Sequence, residues 1–153
     1  MRITTAALAA AAILFMAAEA NAGGGAVTGG DATAMIAGRQ AGMRMSGAIM
    51  ASMKAAIDAK ADVKTQTFAA RSLAAWARAV PGMFAEGSNV PSTEALPAVW
   101  TDRAGFEAKA AAYADAAAKL GDAAKAGDAD AFAAQWTAVR TACGACHDAY
   151  KKP

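Results

Sequence analysis

The sequence contains very few of the side chains that usually carry metal or acid–base chemistry. Its 153 residues include two cysteines and one histidine, and all three stand within five consecutive positions, from Cys143 to His147. A structural zinc site needs four ligands, typically Cys and His, so this chain does not complete one by itself. The formal net charge is only +2, which gives no broad basic field of the kind that binds nucleic acid. The scarce chemistry is therefore concentrated near the C-terminus.

Proline and aromatic residues are also sparse, with four prolines and 7% aromatics. No window shows the alternation typical of a strand, whereas Ala-rich segments with Lys, Glu, Arg and Met favour helices. Apolar spacing predicts helices over about 31–59, 63–80, 101–127 and 128–150, with a loop over 84–100. The second helix carries Phe68, Leu73 and Trp76, Gly127 ends the third, and Asp128 caps the fourth. Short connections make antiparallel neighbours, so we predict an all-α, antiparallel four-helix bundle.

Residues 1–22 predict a secretory signal peptide. Met1 and Arg2 form a short basic start, an uncharged apolar run covers 3–18, and Ala20-Asn21-Ala22 is a small-x-small cleavage site. The alternative is a membrane anchor, but the apolar run is shorter than the ~20 residues that a spanning helix needs. We therefore expect an exported protein with no membrane span after cleavage and a single domain over 23–153.

The pentapeptide C-x-x-C-H near the C-terminus predicts covalent attachment of a c-type haem. Its two sulfurs form thioethers with the haem vinyl groups. Helical positions i, i+3 and i+4 lie on one face, so Cys143, Cys146 and His147 are presented together. We expect His147 to ligate the iron from the proximal side. The predicted cofactor is one covalent haem c per chain.

Other kinds of site use the same residue types. A thioredoxin-like redox pair uses C-x-x-C beside a βαβ unit, and no strand is predicted here. A Cys–His nucleophilic dyad needs the histidine across a cleft from the thiolate, whereas His147 directly follows Cys146. A disulfide across three residues would constrain almost nothing. Each of these alternatives explains less of the motif than haem attachment does.

The sixth coordination position of such an iron is not a second histidine of the same chain, because the chain has none. That position is left to a methionine, to another side chain or to no ligand. Methionine is also a common core filler, and spacing does not choose among the candidates. These are Met35, Met43, Met45, Met50, Met53 and Met83.

Several aromatic residues have two interpretations of the same kind. Trp136 shares the helical face of Cys143 and His147, and Phe106 and Tyr113 lie a heptad apart. Each of them either packs in the core or lines the haem.

The chain resembles the class II c-type cytochromes, the cytochrome c′ family, over essentially the whole of 23–153. The segments that carry the resemblance are CGACHDAYKK at 143–152, RQAGM at 39–43, MFAEGS at 83–88 and ALPAVW at 95–100. Such proteins are four-helix bundles with the haem site at the C-terminal end. The resemblance implies that Cys143 and Cys146 link the haem and that His147 is the axial ligand.

The resemblance also implies roles for two residues of the first helix. Arg39 matches an arginine that lies near the haem and can pair with a propionate, and Met43 faces the distal side of the iron. In a low-spin branch of the family a Met at this position is the sixth ligand. In five-coordinate, high-spin members an apolar residue, in some cases also Met, only covers the iron. The segments MFAEGS and ALPAVW are closer to the low-spin branch, so we expect Met43 to be a ligand.

From these features we expect a periplasmic electron carrier rather than an enzyme, which meets redox partner proteins through brief contacts at an exposed haem edge. The alternative is a five-coordinate protein that binds nitric oxide or carbon monoxide at a vacant distal site. The resemblance makes a homodimer through helices one and two plausible, with a monomer as the other arrangement. No nucleic-acid partner is expected.

Overall fold

The computed structural model describes residues 29–153, so the predicted signal peptide over 1–22 lies outside the described residues. The α-helices are α1 (Gly29–Asp58), α2 (Thr67–Ala79), α3 (Ala98–Thr101), α4 (Arg103–Ala126) and α5 (Ala129–Tyr150). Since α3 is a single turn, the other four form the bundle, and the prediction of an all-α four-helix bundle is confirmed. Within 29–153, no helix is both long enough and apolar enough to cross a membrane.

Local sequence signals set the junction between α4 and α5. The backbone of Gly127, at the C-terminal end of α4, has a φ of 77°, in the left-handed region that favours glycine. The next residue, Asp128, accepts a hydrogen bond at 2.9 Å from the backbone N–H of Ala131 and so caps α5. Both predicted positions are confirmed. At the other end of α4, the carboxylate of Asp102 caps the helix by accepting from the N–H of Gly105.

The second helix begins later than the sequence predicts. Val63–Gln66 form a 3-10 turn, which Asp62 caps, and the regular helix starts at Thr67. Phe68, which we grouped with Leu73 and Trp76, is 84% exposed. At about 3.6 residues per turn, Phe68 lies about 140° around the helix from the buried Leu73, so these two side chains do not face the same core.

The core is built mainly around α4, which packs along α2 and along α5. Leu73 of α2, Phe106 and Leu120 of α4, and Phe132 and Val139 of α5 are each no more than 2% exposed. Helix α1 packs less extensively on its neighbours than α4 does. This uneven packing leaves open space between α1 and α5.

The C-terminal end of α5 is anchored to the segment that precedes α3. The backbone N–H of Leu96 donates to the carbonyl of Tyr150 at 2.9 Å, and the N–H of Lys152 donates to the carbonyl of Glu94 at 2.8 Å. The Tyr150 hydroxyl donates to the carboxylate of Asp102 at 2.7 Å. These bonds fix the end of the helix that contains the C-x-x-C-H motif.

Candidate functional site

The three chemical residues of the C-x-x-C-H motif face one cavity beside α5. Cys143, Cys146 and His147 all line it, as expected for helical positions i, i+3 and i+4. Both cysteines are half-buried free thiols, and His147 is exposed. The structure therefore brings together the two predicted haem-linking sulfurs and the predicted axial imidazole.

Two cavities flank this face of α5 and share part of their lining. The first has a volume of about 290 Å³ and the second of about 540 Å³, close to or within the ~300–1,000 Å³ range of small-ligand sites. The residues that line both are Met43, Val80, Cys146 and His147. Because of this common lining, the two cavities form one groove between α1 and α5, which we call the α1–α5 groove.

Aromatic side chains line both ends of the α1–α5 groove. In the first cavity the ring centroid of Phe106 lies 5.0 Å from that of Phe84 and 5.4 Å from that of Tyr150, both in edge-to-face geometry. Tyr113 and Trp136 line the second cavity. The aromatics whose role the sequence left open are therefore all placed where a flat apolar ligand would contact them: Phe106, Tyr113 and Trp136.

The groove separates the methionine candidates into two groups. Met43 lines both cavities together with His147, and Met50 lines the second cavity. The remaining candidates line neither cavity: Met35, Met45, Met53 and Met83. Met43 is thus the methionine best placed to face a haem held by α5, and its role as sixth ligand stays a prediction.

Arg39 is a buried cation at the first cavity, only 3% exposed. Its Nη1 donates to the Ser88 hydroxyl at 2.9 Å and to the Met83 carbonyl at 3.2 Å. Its Nη2 donates to the Ser88 carbonyl at 3.2 Å and to the Thr93 hydroxyl. These charge-assisted bonds offset the cost of burying the guanidinium, and burial lowers its pKa. Arg39 therefore joins α1 to residues 83–93, while its pairing with a propionate stays a prediction.

The partners of Arg39 are functional neighbours that the sequence did not identify. Ser88 and Thr93 are buried polar residues, 0% and 6% exposed. Ser88 ends the MFAEGS segment, so the resemblance contained a signal for it. Thr93 had no such signal, because 54 positions separate it from Arg39 along the chain.

The two thiols and the phenol on the motif side of the groove are uncharged near pH 7. Burial raises the pKa of the Cys143 thiol, and the neighbouring Cys146 raises it further. Burial likewise raises the pKa of Cys146, which the positive charge of Lys109 partly offsets. Burial also raises the pKa of Tyr113 to about 12, although a hydrogen bond with Ser46 opposes the shift. Protonated thiols and a neutral phenol suit an apolar macrocycle.

Gly42 allows α2 to pack closely against α1 beside Met43. A Cβ at Gly42 would lie 2.3 Å from the ring of Trp76, too close without movement. We expect Gly42→Ala to lower the free energy of unfolding by roughly 1–3 kcal/mol, the usual cost of overpacking. It should also change the absorption spectrum of the haem protein, because Met43 is the next residue. Chemical denaturation and absorption spectroscopy measure the two effects.

Gly38→Ala is the matched control on the same helix. A Cβ at Gly38 would lie 3.7 Å from the Met83 methyl group, which is an ordinary contact. Replacing a glycine inside a helix by alanine then raises stability by roughly 0.5–1 kcal/mol. Equal stabilities for the two variants would contradict the close approach of Trp76 to α1.

The described residues fit a covalent haem better than the competing kinds of site. Over 29–153, no group of three or more His, Cys, Asp or Glu side chains could hold a metal ion. The same range contains no βαβ unit, and its two cysteines are not joined in a disulfide. Covalent haem attachment requires two thiols and an imidazole on one face beside an apolar slot. In the α1–α5 groove, Cys143 and Cys146 would hold the macrocycle and His147 would bind the iron.

Comparison with known proteins agrees with this fit. The family model described as Cytochrome C′ matches residues 34–151. A search of the curated proteins gives no match.

Solved structures of cytochromes c′ align with most of this chain. A ferrous variant of cytochrome c′ from Alcaligenes xylosoxidans with bound nitric oxide has a TM-score of 0.73 and 29% identity, over 80% of this chain and 96% of that chain. Cytochrome c′ from Shewanella frigidimarina has a TM-score of 0.73 and 31% identity, over 80% and 97%. Cytochrome c′ from Rubrivivax gelatinosus has a TM-score of 0.71 and 31% identity, over 77% of this chain and 94% of that chain.

Cytochromes c′ are an established example of the up-down-up-down four-helix bundle. The bundle, the thiol and imidazole face of α5, the match over 34–151 and the alignment with solved structures agree. The chain therefore belongs to the cytochrome c′ family, and its cofactor is a covalently bound haem c.

Proposed function

We propose that this protein is a periplasmic haem protein that binds nitric oxide or carbon monoxide on the distal face of its haem. The observation that carries the proposal is the similarity to cytochromes c′ whose structures contain bound nitric oxide. The expected electron carrier with a Met43–iron bond becomes the second candidate. Periplasmic location is part of the same proposal, and it depends on the export signal predicted over 1–22.

The side chains that line the α1–α5 groove have different roles in this function. The bound haem supplies an iron that takes up a diatomic gas at an open coordination position. Cys143 and Cys146 would fix the macrocycle to α5, and the His147 imidazole would bind the iron. Met43 of α1 lines both cavities and would cover the face of the haem opposite His147. The surrounding aromatic side chains give the groove an apolar wall, which suits an apolar gas.

One observation favours the second candidate. Met43 lines both cavities together with His147, so its thioether would face an iron that His147 binds. If it binds the iron, the haem is six-coordinate and low-spin, and the protein serves electron transfer, with the potential set by the axial ligand and the surrounding dielectric.

The absorption spectrum of the purified haem protein separates the two functions. We expect a high-spin spectrum and uptake of carbon monoxide without displacement of a ligand. Met43→Ala should accelerate carbon monoxide association on the order of tenfold, the effect of about 1.4 kcal/mol on a barrier. Met45→Ala is the matched control, because Met45 is 65% exposed on the same helix and lines neither cavity. A low-spin wild type that becomes high-spin only in Met43→Ala would support the electron carrier instead.

Assembly stays a prediction. The homodimer that the resemblance implies, with a monomer as the alternative, would use α1 and α2, and each of these helices presents a large exposed apolar side chain. Met45 on α1 is 65% exposed and Phe68 on α2 is 84% exposed. Both are consistent with a contact between copies, and sedimentation of the haem protein measures its mass in solution.

A further inference from the structure

Cationic side chains dominate the charged residues that line the α1–α5 groove. Six of them line its two cavities: Arg39, Arg44, Lys54, Lys109, Arg140 and Lys151. Among the described residues, Glu94 is the single acidic residue in the same lining. The whole chain has 15 Lys and Arg against 13 Asp and Glu. The positive charge is therefore local to the groove, which the near-neutral composition does not reveal.

The six cations differ in how far their charge is already compensated. Arg39 is buried and hydrogen-bonded, Lys54 pairs with Asp58, and Lys151 lies 3.8 Å from Glu94. The other three form no ion pair within the described part of the chain: Arg44, Lys109 and Arg140. The guanidinium of Arg140 lies over the Trp136 ring at 5.9 Å, which leaves its charge unneutralised.

The three uncompensated cations, which we call the rim cations, stand on three different helices. Arg44 on α1 lines the first cavity, and Lys109 on α4 and Arg140 on α5 line the second, so the three charges are distributed along the groove on three helices. A haem contributes two propionate carboxylates, which neutralise at most two of the six lining cations. At least one of the three rim cations therefore keeps its charge unpaired by a propionate in the haem protein.

We propose that the rim cations form a docking surface for the acidic face of a protein that donates one electron to the haem. This proposal rests on the proposed function, because gas uptake by a ferrous iron requires that the iron be reduced. The donor loses one electron and the iron passes from ferric to ferrous. Complementary charge raises the rate of encounter by about 10- to 1,000-fold and orients the partner. A small anion touches few of three cations on three helices, whereas the face of a protein reaches all of them.

The test compares two triple variants of the haem protein. The rim variant is Arg44→Gln/Lys109→Gln/Arg140→Gln. The control variant is Arg78→Gln/Lys119→Gln/Lys125→Gln, which removes three exposed cations from outside the groove and changes the net charge equally. Poly-L-glutamate represents an acidic protein surface, and calorimetry measures its binding at low salt. Stopped-flow absorption then measures oxidation of the ferrous protein by anionic ferricyanide and by cationic tris(phenanthroline)cobalt(III).

We expect the rim variant to bind poly-L-glutamate on the order of tenfold more weakly than the wild type and the control variant. Its oxidation by ferricyanide should slow by a similar factor, its oxidation by the cobalt complex should not slow, and the differences should shrink at high salt. If both triple variants lost affinity for poly-L-glutamate equally, or if the wild type did not bind it, the proposal would be overturned. A slower ferricyanide reaction with unchanged poly-L-glutamate binding would assign the rim to small anions and also overturn it. Carbon monoxide uptake is measured separately, so that failure of the gas-binding function can be distinguished from failure of the docking proposal.

Discussion

Replacing both Cys143 and Cys146 by serine is expected to abolish covalent haem attachment. Serine hydroxyls do not add to the vinyl groups, and these are the only two cysteines of the chain. After denaturing electrophoresis the variant should show no haem-dependent peroxidase staining, whereas the wild type stains at the mass of the chain. Each single serine variant keeps one thioether site and should show a pyridine haemochrome spectrum shifted from that of the wild type.

The same double variant should lose much of its stability. The α1–α5 groove comprises cavities of about 290 and 540 Å³, and an apolar groove without its ligand lacks the contacts that support α1. We expect the free energy of unfolding to fall by at least the ~2–5 kcal/mol of a large-to-small core substitution. Gly144→Ala is the matched control within the pentapeptide, since a Cβ there meets nothing within 4 Å. Covalent haem in the double variant would refute the assigned thiols.

Arg39→Leu is the second variant with a large expected effect. It leaves three buried or half-buried acceptors without their donor, namely two oxygens of Ser88 and the Met83 carbonyl. The Thr93 hydroxyl loses its bond from Arg39 but still accepts from the N–H of Ala95. Each buried group left unpaired costs roughly 1–3 kcal/mol, so we expect a loss of roughly 3–5 kcal/mol in the free energy of unfolding. Residues 83–93 should also become more accessible, and limited proteolysis of the folded haem protein detects cleavage there.

Two controls separate the contacts of Arg39 from its charge. Arg39→Lys keeps the charge but lacks the planar fork that reaches both Ser88 and Thr93, so an intermediate loss is expected. Arg44→Leu removes an exposed cation from the same helix, and its effect should stay within about 0.5 kcal/mol. If Arg39→Leu were as stable and as resistant to protease as Arg44→Leu, the buried network would not hold the segment in solution.

Features that depend on neighbours in the chain were predictable from the sequence. Helical periodicity alone places Cys143, Cys146 and His147 on one face, and the cavity lining confirms it. The cap at Asp128 and the left-handed end at Gly127 follow from residue type, because their hydrogen bonds close within a few positions. The type of site and the four-helix architecture were therefore predictable from composition, residue spacing and the signals at helix ends.

Features that depend on distant contacts were not predictable in the same way. Phe68 has the apolar character of a core residue, yet its angular position on α2 leaves it exposed, and only the orientation of the packed helix determines that. Trp76 requires a glycine at 42, but no local pattern links the two positions. The same holds for Met43, whose distance to an iron depends on how far α1 stands from α5.

The sequence by itself determined that this chain is a helical bundle with its thiols and imidazole on the last helix. The reason is that helix formation, and the side of a helix on which a residue lies, depend on nearby residues of the chain. Tertiary structure alone decided which residues surround that helix. It placed Arg39 against Ser88, 49 positions away, and brought Arg44, Lys109 and Arg140 from three helices to the lining of one groove. The physical reason is that buried hydrogen bonds and electrostatic fields depend on distance in space, and the packing of the four helices sets those distances.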